Sequence, residues 1–443
     1  MCEGPILKKL LIFALPLLAA NMLQLLFNAA DITVLGIFIT DAARAKSAVA
    51  AVGSTNSLIN LIIGLFVGLS VGANVLVARC VGEGNEEKSK RVVGTSMTIS
   101  LIVGVFLAII GFFFAKTFLE WMDSPDDVID MAAAYLRIYF LGMPIMMLYN
   151  FASAILRAVG DTVRPLIFLC VGGVANVGFN IFFITVVKLD VEGVAIATVI
   201  SQFIAAVLTV ITLMKNDGYS KFELNRMKIA GKELSEIIKI GVPAGLQGCV
   251  FSISNVLIQS TINSFKTDAI TANSIACQLE GFVYYAMYSI TLAAMSFVSQ
   301  NYGAGNLKRC KKIFWLCLLF GFGFTEILSI VFMIWDDFFV SIYTVSEAVA
   351  GYAIIRMWHV CALEGLIATY EVESAAMRGM GKSLEPSIIT VLGTVVFRMI
   401  WLVTIFRLVP TFDMLMNVYV ASWIFTGGAI FIVYRRRLHE SNI

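Results

Sequence analysis

Charge is scarce in this chain. Only 14% of its 443 residues are Asp, Glu, Lys or Arg, against about 25% in soluble domains. Hydrophobic residues make up 59%, and mean hydropathy is +0.88. That shortage excludes a soluble globule and makes the bilayer the solvent. No polar run is long enough to fold as a separate aqueous domain. Histidine is rarer still, with two copies and no metal-ligand cluster around either. The eight cysteines have no CxxC spacing, and Cys170, Cys249, Cys277 and Cys361 sit in apolar runs, where they read as small packing residues. The net charge of +2 says nothing about partners.

Long apolar runs are what the chain has instead. A helix needs about 20 apolar residues to cross the hydrocarbon. Twelve segments qualify: 7–36, 47–78, 90–119, 128–157, 163–187, 192–214, 234–265, 268–300, 310–336, 346–378, 385–408 and 413–434. The first follows Lys8 and Lys9 as a signal peptide would, but it is too long for a signal core and reads as a retained span. Pro5 and Pro125 suit helix starts, and Pro16, Pro144 and Pro243 are expected to bend spans from within.

The sequence also repeats itself. At an offset of 221, Gly82, Gly84 and Asn85 fall on Gly303, Gly305 and Asn306. At the same offset Tyr149, Ser153, Ala154, Arg157, Gly160 and Pro165 fall on Tyr370, Ser374, Ala375, Arg378, Gly381 and Pro386. Repeated halves of apolar segments mark a membrane transporter with its site at the repeat interface. Six spans per half make the repeats parallel. The expected architecture is all-α and membrane-integral, with lobes at 1–214 and 234–443 and a polar cytoplasmic linker at 215–233.

Placing both termini in the cytoplasm puts twenty-three Lys and Arg on that side and six outside, the bias that the positive-inside rule expects of an inner-membrane protein. Outer loops are acidic instead: Asp123, Asp126, Asp127 and Asp130, then Asp336 and Asp337. The linker charges read as solvated, and nothing points to nucleic acid.

Polar residues inside the spans carry the chemistry, since a charge at the bilayer centre costs about 2.5–3.5 kcal/mol on insertion scales. In span 1, Asn21, Gln24, Asn28 and Asp31 share one helical face, and Asp31 is its one carboxylate. Span 5 carries Asn176 and Asn180 one turn apart, span 6 Thr198 and span 4 Asn150. Asp31, Asn176, Asn180 and Thr198 offer the oxygen ligands that sodium prefers; Asp31 can equally hold a proton. The second half does not copy Asp31. Its carboxylates are Glu280, Glu326, Glu364, Glu371 and Glu373, with Glu364 and Glu371 two turns apart on one face. Gln24, Asn255, Glu280, Tyr284, Glu364 and Glu371 are candidates for a substrate cavity. Phe251, Tyr285, Tyr288, Met287 and Met377 can make it pliable and receptive to flat cations. Arg398 is expected to pair with a carboxylate of the second half.

The chain resembles the multidrug and toxic compound extrusion family from end to end. The resemblance rests on Pro16 with Asn28-Ala-Ala-Asp31 and Gly36, on Gly82-Glu-Gly84-Asn85, and on Leu156-Arg157-Ala-Val-Gly160-Asp161 with Pro165. The second half adds Ala272-Asn-Ser-Ile-Ala276, Gln300-Asn-Tyr-Gly303-Ala-Gly305-Asn306 and Met377-Arg378-Gly-Met-Gly381-Lys382. It implies two six-helix lobes in a V and export of organic cations in exchange for sodium or protons, with no other cofactor and a monomeric state. In the family a span-1 aspartate couples the ion, and Asp31 matches it. Asn150, Asn176, Asn180 and Thr198 match the first lobe's cation site, where some relatives carry Asp in place of Asn180. One branch has a span-7 Glu near the place of Phe251 here, and a span-10 Asp that is absent between Glu364 and Glu371.

A flippase for a lipid-linked substrate is the rival from the same superfamily. Cationic cavities suit such substrates, and the intramembrane charges are expected to be mostly acidic. An enzyme is disfavoured: Gly68-Leu-Ser70-Val-Gly72 matches GxSxG, but mid-span and with no nearby His.

Overall fold

The computed structural model describes residues 1–39, 41–122, 128–344 and 346–440. Pro125, Asp123, Asp126 and Asp127 lie outside them. Among the described residues there is no strand. Helices alone satisfy their backbone groups without water, so apolar runs of this length fold as helices in hydrocarbon.

The first half comprises α1 (Ile6–Phe38), α2 (Ala42–Glu83), α3 (Glu86–Trp121), α4 (Ile129–Leu141), α5 (Met143–Ala158), α6 (Val163–Phe182) and α7 (Val191–Lys215). The second comprises α8 (Gly231–Ile262), α9 (Lys266–Gly303), α10 (Leu307–Ile334), α11 (Asp336–Ser341), α12 (Glu347–Val360), α13 (Ile367–Gly379), α14 (Leu384–Val391), α15 (Phe397–Val403), α16 (Ile405–Leu408) and α17 (Phe412–Glu440). Among the described residues, ten helical stretches are long and apolar enough to cross a bilayer, and α4 with α5, bent by 50°, makes eleven. This is a multi-pass membrane protein. The expected span at 346–378 is broken by a 3₁₀ segment, Cys361–Leu366, and carries Arg356, Glu364, Glu371, Glu373 and Arg378.

The span expected at 128–157 is bent by 50° beside Pro144, as expected, but as a break between two helices rather than a kink inside one. Pro144 stands in the first turn of α5, just past the break at Gly142, where a missing N–H costs nothing. Pro16 and Pro243 do lie inside continuous helices, α1 and α8.

The sequence repeat is a geometric repeat. Gly84 and Gly305 have φ of 69° and 71°, and Gly160 and Gly381 have 102° and 79°. After the first pair, the Asn85 and Asn306 side chains cap α3 and α10 by accepting from Lys88 N and Arg309 N. After the second, Asp161 N donates to Leu156 O and Lys382 N to Met377 O. These left-handed turns reverse the chain between spans, and only glycine enters them without strain.

Two compact units result, Leu15–Gly245 and Met1–Ala14 with Leu246–Ile443. The first packs Leu119, Leu136, Phe140, Met143 and Val191 at its centre; the second packs Ala272, Ala276, Ala353, Met357 and Cys361. The polar stretch 215–233 belongs to the first unit and is stitched to α3. Ser89 Oγ donates to Tyr219 O at 2.6 Å, Thr95 Oγ1 to Lys228 O at 3.2 Å, and Arg226 pairs with Glu87 at 2.8 Å. Its charges are thus partly paired rather than merely solvated. Ser70 sits on continuous α2 and donates to Val67 O, so it forms no strand-to-helix elbow.

Candidate ion and substrate sites

Each unit holds a polar cavity. The first, of about 190 Å³, is lined from five helices: Gln24, Asn28 and Asp31 from α1; Asn56 and Asn60 from α2; Tyr135 and Tyr139 from α4; Asn176 from α6; and Thr198, Ser201 and Gln202 from α7. Among the described residues, no Lys, Arg or His lines it. Two adjacent glycines of α6 let its neighbours in. A Cβ on Gly173 would fall 1.9 Å from the Phe27 ring of α1, and one on Gly172 would fall 2.9 Å from Ser201 O of α7.

That approach lets the chain's polar groups meet. Asn180 Nδ2 donates to Asp31 Oδ1 at 2.5 Å and to Asn176 Oδ1 at 3.2 Å, and Asn176 Nδ2 donates to Thr198 Oγ1 at 3.4 Å. Thr198 in turn donates to Val194 O. Asp31, Asn176 and Asn180 are all buried, and Asn180 Oδ1 has no hydrogen-bond partner among the described residues. A buried carboxylate with no base among the described lining residues, next to an unused carbonyl oxygen, has the chemistry to accept a cation or a proton. A π turn, Phe183–Val187, directly follows α6 and its Asn180, and such turns often mark functional sites.

Four expected ion residues, Asp31, Asn176, Asn180 and Thr198, therefore come together, and Asn28 lines the same cavity. Gln24, expected in the substrate cavity, lies here too. Asn150 does not join them. Its Nδ2 donates to Met146 O of its own helix at 2.8 Å, and it is not among the lining residues.

The second cavity, of about 330 Å³, lies in the other unit. Asn255, Glu280, Tyr284 and Glu364 line it as expected, with Phe251, Gln259, Cys277 and Tyr285. Glu371 does not line it. The expectation placed Glu364 and Glu371 on one face of one helix. The 3₁₀ segment Cys361–Leu366, with Leu363 at φ −137°, ψ 25°, breaks that register between them. Glu364 accepts from Ser329 Oγ at 3.1 Å.

The largest departure concerns the arginines. Arg356, which the count of acidic groups overlooked, is 2% exposed and grips Glu280 with both ends of its fork, Nε to Oε1 at 2.7 Å and Nη2 to Oε2 at 2.6 Å. Its Nη1 donates to Asn273 Oδ1 at 2.6 Å. Arg398 lines the same cavity but pairs with no carboxylate among the described residues, contrary to expectation. It donates instead to Ser422 Oγ and Ser254 Oγ, with the Tyr419 and Phe251 rings against it. Two guanidinium groups thus face a cavity expected to be acidic.

A family model, MatE, matches residues 16–182 and 243–404, one stretch in each half. The chain belongs to the MatE family, the multidrug and toxic compound extrusion transporters. As a MatE protein it is similar to the probable multidrug resistance protein YoeA of Bacillus subtilis, 28% identical over 86% of this chain and 82% of that one. The probable multidrug resistance protein NorM of Thermotoga maritima is 24% identical over 86% and 82%. Two solved structures share the MatE fold. One is an outward-facing multidrug resistance MATE family transporter of the MOP superfamily, with TM-score 0.88, 21% identity and coverage of 100% and 98%. The other is the MATE transporter VcmN of Vibrio cholerae in its bent form, with TM-score 0.89, 20% identity and coverage of 99% and 98%.

Sequence signals existed for what was missed in this MatE chain. Asn56 and Asn60, and Tyr135 and Tyr139, are pairs spaced one helical turn apart within apolar runs. Arg356 stands eight residues before Glu364 in a span, where a base costs as much as an acid.

Proposed function

We propose that this MatE chain is a secondary antiporter that exports amphipathic organic cations in exchange for inward sodium or protons, by alternating access. The observation that carries this reading is Asp31, held by the buried Asn180, in a cavity with no base among its described lining residues. An arriving cation or proton neutralises Asp31 and engages the unused Asn180 Oδ1. The ion drives a conformational change only by binding the two states unequally. One charge moving down 100 mV supplies about 2.3 kcal/mol, enough for a gradient on the order of 50-fold. The drug-resistance relatives support drugs as cargo. The lysine and arginine bias supports cytoplasmic termini in the cell membrane.

The test is efflux of a fluorescent cation from proteoliposomes, with sodium and proton gradients imposed separately. The wild type is expected to respond to one of the two gradients, and Asp31→Asn to lose that response at least tenfold. Coupled efflux by Asp31→Asn at the normal rate would refute the assignment.

A further inference from the structure

Arg398 keeps its charge at any physiological pH, since a guanidinium does not deprotonate in proteins. It is 2% exposed, yet every partner it has is neutral. Nε donates to Ser422 Oγ at 3.1 Å and Nη1 to Ser254 Oγ at 3.2 Å. Both hydroxyls are already committed as donors, Ser422 to Tyr419 O at 2.7 Å and Ser254 to Thr394 O at 3.0 Å. The rings of Tyr419 and Phe251 lie 4.7 and 5.6 Å from its Cζ. Its Nη2 has no hydrogen-bond partner among the described residues.

The nearby charges do not compensate it. Glu280 is spent on Arg356 through both oxygens. Glu364 lines the same cavity, but it accepts from Ser329 and makes no ion pair with Arg398. A buried charge left without a partner is strongly unfavourable, so a site that keeps one is built to receive a counter-ion. The local backbone is arranged for it. A π turn, Leu392–Val396, directly precedes α15 and Arg398, and Ser254 takes up the Thr394 carbonyl within that turn.

We propose that the second unit's cavity binds the carboxylate of a flat aromatic molecule, with the Arg398 guanidinium as its receptor and the Phe251, Tyr284 and Trp423 rings around the apolar body. A single unpaired guanidinium in a cavity that also holds Glu364 favours a singly charged carboxylate over a dianionic phosphate. The planar guanidinium matches that group's geometry. The cavity of about 330 Å³ is within the size range of small-molecule sites. This subsite is independent of Asp31 and widens the cargo beyond pure cations.

The experiment uses the full chain in lipid nanodiscs and two fluorescent probes, a coumarin carboxylate and its ethyl ester, read by anisotropy. The carboxylate is expected to bind at least fivefold tighter than the ester. Arg398→Gln should weaken the carboxylate at least fivefold and leave the ester unchanged, while Arg398→Lys should retain most of the preference. A wild-type preference below fivefold, or an Arg398→Gln loss below fivefold, overturns the proposal. The wild-type comparison decides the matter even if Arg398→Gln does not fold. Cation efflux through Asp31 is a separate readout, so the two readings fail separately.

Discussion

Asp31 on the first helix and Asn180 on the sixth are 149 residues apart in sequence and 2.5 Å apart in the fold. The amide holds the carboxylate through one N–H and keeps its own carbonyl oxygen unused. The pair therefore suits either protonation state of Asp31: an ionised oxygen accepts from the amide, and a protonated one can donate to it.

Removing the amide should uncouple the site. Asn180→Ala deletes a hydrogen bond to a charged group, a contact worth about 1.5–3 kcal/mol. Gradient-driven efflux in proteoliposomes is expected to fall about tenfold or more, with the protein still folded by size-exclusion chromatography. A wild-type rate would place Asn180 outside the coupling machinery.

Gly173 should tolerate no side chain while Phe27 is present. A Cβ there would lie 1.9 Å from the ring, and overpacking of this kind costs about 1–3 kcal/mol. Gly173→Ala is expected to lower the thermal midpoint in detergent, and Gly173→Ala with Phe27→Leu to recover most of it. No recovery would mean that the clash is not with Phe27.

The Arg356–Glu280 pair should be far more sensitive to losing one partner than both. Breaking a buried pair costs about 3–5 kcal/mol, whereas apolar replacement of both is often near neutral. Arg356→Met alone is expected to be the least stable variant, and Arg356→Met with Glu280→Leu to regain stability. Additive losses in a double-mutant cycle would contradict this.

The two repeat turns should respond alike. Gly160→Ala and Gly381→Ala each force an L-residue into positive φ, at about 1–2 kcal/mol apiece. Each is expected to lower the thermal midpoint by a similar few degrees. A loss at one site only would show that the repeat does not extend to the energetics of these turns.

Much was legible in the sequence because the bilayer is a severe solvent. Apolar runs of twenty or more residues must become helices, and the 221-residue offset aligned the glycines and asparagines that the structure places in matching turns and caps. Polar residues in such runs must face one another, which singled out Asp31, Asn176, Asn180 and Thr198 as a group. Helical spacing fails wherever the helix itself fails. The 3₁₀ segment at Cys361–Leu366 separates Glu364 from Glu371. Asn150 satisfies itself on its own helix, an option that spacing cannot rule on.

By itself, then, the sequence determined the class of the protein, the run of its helices, the repeat and the residues that lipid would reject. Tertiary structure alone decided their partners. Whether Arg398 met an acid, a hydroxyl or an aromatic ring depended on which helices lay beside it. That depended in turn on close approaches such as Gly173 against Phe27, set by contacts between residues far apart in the chain, which no local pattern records.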